Sequence, residues 1–89
     1  MERLINELAE IENEYEQLKL DLVEEKANIT LDTDWEKALN KAKPTVGEKE
    51  AYIKRQTLPL ERRIKILKVK RNTMRRIYDI RKNIKEQEQ

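Results

Sequence analysis

From Arg62 to Lys85 the chain carries eleven Lys or Arg residues and one acid, Asp79, on a segment whose apolar residues keep helical spacing. Leu60, Ile64, Leu67, Met74 and Tyr78 follow one another at steps of three, four or seven, which keeps one side of a helix turned to a partner helix. So many like charges on adjacent turns repel one another, and this segment needs counter-charge from elsewhere. The counter-charge lies at the other end. Residues 1–30 hold nine acids and three bases, residues 31–45 balance, and residues 46–89 hold six acids and fourteen bases. The chain is therefore expected to fold back on itself.

The acidic partner is the first segment, read as a helix over residues 2–30. Leu4, Leu8, Ile11, Tyr15, Leu18, Leu22 and Ile29 lie on one face at steps of 4, 3, 4, 3, 4 and 7. Glu25 fills the omitted position, so this turn is expected to open to solvent or to find a base. Neither Pro nor Gly interrupts the run.

Thr33-x-x-Glu36 has the spacing of a capping box, which predicts a short helix over 34–42 ended by Pro44. Trp35, Ala38, Leu39 and Ala42 share one side of it and are expected to fold over the end of the long helices. Thr45-x-x-Glu48 repeats the signal and starts a helix over 46–57. Pro59 lacks a backbone donor and clashes with the Arg55 carbonyl, predicting a kink or break between Gln56 and Leu60. A final helix then occupies 59–85, with the last four residues fraying.

With one Gly, two Pro, no Phe and 43% charged residues, the composition suits long helices and leaves little to bury in a globule. The fold class read from the sequence is all-α: one domain, 1–89, forming an antiparallel, coiled-coil-like hairpin with a short helical tip. Opposed residues have numbers that total about 89, placing Leu8 near Arg81, Ile11 near Tyr78, Tyr15 near Met74, Leu22 near Leu67 and Ile29 near Leu60. Arg71 falls on the seam opposite Leu18, from where its guanidinium is expected to reach Glu14 or Asp21. A two-helix seam is marginal by itself, and Ile66, Ile77, Ile80 and Ile84 lie about 100° or more from it. They predict a protein interface, with dimerisation into a four-helix bundle as one outcome. The plainer alternative is a wider hairpin end in which Ile5 takes up part of that surface.

His, Cys and Ser are all absent, so no triad of Ser or Cys with His can be drawn. One isolated Gly makes no phosphate-cradling loop. Asp32-x-Asp34 is better read as helix capping than as a magnesium site, and Glu7, Glu10 and Glu14 as a solvated face. The expectation is a protein without enzymatic activity, cofactor or metal. The start of the chain has neither the apolar core of a signal peptide nor a membrane span, so a soluble, cytoplasmic protein is expected.

The segments Asp34-Trp35-Glu36-Lys37-Ala38-Leu39, Lys43-Pro44-Thr45-Val46 and Glu48-Lys49-Glu50-Ala51-Tyr52-Ile53-Lys54 resemble small helical proteins of tailed phages and prophages of Gram-positive bacteria. The resemblance covers about residues 33–60 and implies an accessory protein acting in the host cytoplasm, among genes for DNA handling or for countering host defence. Phage nuclease inhibitors built as helical hairpins are similar in architecture. No catalytic residue carries over from the resemblance.

Three functions follow as expectations. The first is a docking module, a homodimer or a binder of another protein, that inhibits a host or phage nucleic-acid-processing or defence protein through the Ile surface. The second is sequence-tolerant nucleic-acid binding by Arg62, Lys65, Lys68 and Arg76, which are expected to face away from the acidic helix. The third is a structural part of an assembly.

Overall fold

A computed structural model describes residues 2–88. It contains three helices: α1 (Glu2–Asp32), α2 (Trp35–Leu39) and α3 (Val46–Glu88). They form an antiparallel helical hairpin measuring 70 × 17 × 15 Å. At ~1.5 Å per residue α3 is about 64 Å long and α1 about 46 Å, so α3 alone spans most of the molecule. The two long helices are thus unequal, and the first part of α3 overhangs the end of α1.

Direction and register are fixed by contacts across the seam. Glu12 pairs with Arg75, and Lys26 with Glu61 at 3.4 Å. The Arg71 guanidinium stands 4.5 Å from the centre of the Tyr15 ring. These residue numbers total 86 or 87, a slip of two to three residues from the expected register. The stacking of Arg71 on Tyr15 supplies a reason for the slip: the planar cation meets an aromatic face, where the expected register set it against Leu18. Arg71 does not reach Glu14 or Asp21; its Nε and Nη2 donate to Asn72 Oδ1 at 3.4 and 3.3 Å.

Burial follows the heptad pattern but is uneven. Leu4, Ile11, Tyr15 and Leu18 of α1 are buried. Leu8 and Leu22, and on α3 Leu60, Ile64, Leu67, Met74 and Tyr78, are half-buried, as a single helix covers each of them on one side only. Glu25 is also half-buried, and the base beside it, Lys26, pairs with Glu61 instead.

The expected division of the C-terminal half at Pro59 is corrected by the structure: helices 46–57 and 59–85 are one continuous helix, which runs on to Glu88, while Gln89, the last of the four residues expected to fray, lies outside the described residues. Pro59 is exposed, so its ring displaces nothing from the seam. Two residues earlier lies Thr57, the one fully buried polar side chain among the described residues. It continues the seam backwards from Leu60, three residues on. Its hydroxyl donates to the Ile53 carbonyl at 2.9 Å, which satisfies it within its own helix. The helix passes the missing donor of Pro59 without a break.

The tip also departs from expectation. The helix is Trp35–Leu39, capped by Asp34 and not by Thr33. Asp34 Oδ1 accepts the Lys37 amide at 3.3 Å, whereas the Thr33 amide is still committed to the Ile29 carbonyl of α1 at 3.2 Å. Asn40, in the left-handed conformation at φ 51°, ends α2 well before Pro44, a position short polar Asn tolerates. Ala38 and Ala42 stay exposed. Trp35 meets Tyr52 edge-on at 5.4 Å, donates from its indole to the Thr30 carbonyl at 3.2 Å and lies 5.7 Å from Lys49 Nζ. Since Trp35 and Tyr52 again total 87, α2 continues the pairing along the overhanging part of α3 and does not fold over the helix ends.

The capping box at α3 forms as expected. Glu48 accepts from the Thr45 amide at 3.3 Å, and the Glu48 amide donates to Thr45 Oγ1 at 3.2 Å. Lys41 closes the loop by donating to Glu48 at 2.7 Å. The Lys41 ammonium, then the Thr45 donors, hold the Glu48 carboxyl below its usual range.

Candidate docking surface on the outer face of α3

At 100° per residue, Ile66, Ile77, Ile80 and Ile84 fall about 100–160° from the seam of α3, with Ile80 farthest from α1 and Ile77 nearest. All four are exposed, from 38% at Ile77 to 67% at Ile66. The alternative in which a widened hairpin end covers them with Ile5 does not occur, because Ile5 is itself 46% exposed. Val69 and Leu58 belong to the same stripe and are exposed too. The sequence reading missed both. Stepping back from Ile77 through Thr73 and from Ile66 through Arg62 at threes and fours finds them, but each step crosses a polar residue and so hides the period.

Arg62 and Lys65 lie beside Ile66 and Val69, and together these side chains line a shallow groove. Their aliphatic stems extend the apolar surface while the charged ends remain in water. Arg76 stands on the same flank, about 50° from the centre of the stripe, and Arg63, Lys70 and Arg81 border the other flank. Lys68 is exposed but lies only about 70° from the seam, nearer to α1 than the other three predicted phosphate contacts. The expectation that all four bases face away from α1 thus holds for Arg62, Lys65 and Arg76 and not for Lys68.

The charge of this face is largely uncompensated. Of the eleven bases from Arg62 to Lys85, only Arg75 pairs with a carboxylate among the described residues, donating from Nε to Glu12 at 2.9 Å and from Nη2 to the same oxygen. Of the other acids of α1, Glu7 pairs with Arg3 and Glu16 with Lys19, both within the helix. The second interhelical pair runs opposite to the net charges, with the base on α1 and the acid on α3. Complementarity inside the hairpin therefore does not use up the basic stripe.

No aromatic residue stands in this surface. Tyr15 lies beneath Arg71 and Lys19, Tyr52 meets Trp35, and Tyr78 is half-buried on the seam. Among the described residues no three acidic side chains gather closely enough to hold a metal ion, and no helix is long and apolar enough to cross a membrane. Comparison of the chain with protein-family models, with curated proteins and with solved structures finds no match in any of the three.

Proposed function

We propose that this chain is a non-enzymatic protein–protein docking module whose outer α3 face receives an acidic amphipathic helix. The observation that carries the reading is the Ile66–Ile84 stripe, exposed about 100° or more from the seam and bordered on both sides by bases that have no carboxylate partner among the described residues. An apolar stripe at steps of three and four is the surface a helix packs against, and the flanking bases select an acidic one. The resemblance over residues 33–60 favours a phage-encoded accessory protein in the host cytoplasm, and makes a nucleic-acid-processing or defence protein the class of target it would inhibit.

Nucleic-acid binding is the second reading, favoured by the exposed and unpaired Arg62, Lys65 and Arg76. Two features weigh against it: an apolar stripe divides the bases, and no aromatic platform is available for stacking. Capture from host lysate by the tagged wild-type chain and by I77E/I84E, each with and without nuclease, separates the readings. A protein held by the wild type after nuclease and released by the variant supports docking. Equal recovery by both chains, or recovery only while nucleic acid is intact, would overturn it.

A further inference from the structure

The acidic helix has an outer stripe of its own. Ile5 and Ala9, then Leu20, Val23, Ala27 and Leu31, fall about 100–180° from the α1 seam. All are exposed, and Leu20, Val23 and Leu31 strongly so, at 65%, 68% and 80%. The stripe is interrupted in the middle by Asn13 and Glu16. That of α3 is interrupted in the middle by Thr73.

When the register of the hairpin is carried to the outer faces, the two stripes match. Ile5 and Ala9 come opposite Ile77–Ile84, Leu20 and Val23 opposite Ile66 and Val69, and Leu31 opposite Leu58. The polar interruptions meet at Asn13–Glu16 and Thr73. Their charges match as well, since residues 1–30 hold nine acids and three bases, while Arg62–Lys85 hold eleven bases and one acid. We propose that the helix occupying the outer face of α3 is α1 of a second copy of this chain, antiparallel and in the register used inside the hairpin. This rests on the docking reading above and names its occupant. A symmetric pairing of α3 with α3 would instead align two rows of bases.

The outer faces of α1 and α3 point to opposite sides of the hairpin, so one partner cannot occupy both. The contact is heterologous, and copies add head to tail. Sedimentation equilibrium of the full chain at low salt tests this over about a hundredfold range of concentration. The wild type is expected to rise in mass beyond a dimer, and L20E/V23E and I66E/V69E each to remain monomeric with unchanged helicity. Both pairs are exposed, so the fold should tolerate them; L20Q/V23Q serves if the acidic pair loses helicity. Mixed in equal amounts, the two variants retain one intact face each and should form a species of twice the chain mass and nothing larger.

A wild type that stays monomeric throughout, an L20E/V23E variant that still dimerises, or a mixture that stays monomeric would overturn the proposal. The lysate capture separates this failure from failure of docking itself. A monomeric wild type that captures a protein lost by I77E/I84E keeps the docking surface with a different occupant. A monomeric wild type that captures nothing removes both.

Discussion

Replacing Pro59 by Ala should stabilise the hairpin, although it removes a residue from the middle of its longest helix. Proline inside a helix is about 3 kcal/mol less favourable than alanine, through the missing donor and the clash with the carbonyl four residues earlier. Here the carbonyl is that of Arg55. Pro59 is exposed and fills no gap on the seam, so the substitution should leave no cavity. With about 1 kcal/mol allowed for relaxation of the helix around the ring, the expected gain is about 2 kcal/mol. For a chain of this size that corresponds to a rise in Tm of about 8–16 °C.

Thermal unfolding followed by circular dichroism at 222 nm measures the change, and Trp35 fluorescence reports the tip in the same samples. An unchanged or lower Tm would refute the reasoning. A lower Tm together with an altered Trp35 signal would show that Pro59 helps to seat Tyr52 against Trp35.

Other perturbations address other parts of the molecule. Ile11→Ala removes a buried side chain from a narrow seam and should destabilise by about 2–4 kcal/mol, read as a lower urea midpoint, whereas Ile66→Ala on the outer face should change it by less than about 0.5 kcal/mol. A double-mutant cycle of Arg71→Met and Tyr15→Leu should return a coupling of about 0.5–1 kcal/mol from the cation over the ring; zero coupling would remove the explanation offered for the register. Glu48 has its carboxyl pKa lowered in the folded chain by Lys41 and Thr45, so its contribution to the tip is present above the ordinary carboxylate value of 4.5 and is lost as pH falls through the lower folded value. An acid titration of Trp35 fluorescence should therefore show a transition below 4.5 that is absent from Glu48→Gln; a midpoint at or above 4.5, or the same transition in the variant, would contradict this.

Periodicity and composition were enough to read the helical class, the hairpin and the sense of its pairing. A seam at threes and fours can be read wherever apolar residues occupy it, and two such seams joined by a short tip meet by returning antiparallel. The Thr45–Glu48 cap was equally legible, because all its donors and acceptors lie within four residues. What escaped the sequence depended on partners distant along the chain, or on competition between neighbours. Pro59 predicts a break only while the packing around it is left out. Asp34 takes the cap from Thr33 because the Thr33 amide is already held by α1.

The register was decided by tertiary contact. Leucine and isoleucine tolerate a slip of two or three residues along a smooth seam, and the chain settles where Arg71 can lie on Tyr15 and Arg75 can reach Glu12. The outer face, too, was legible only in part. The sequence displayed its isoleucines, but only the structure showed that they stay uncovered and that the bases beside them lack carboxylate partners, since spacing gives the side of a helix a residue is on and only packing decides what meets it there.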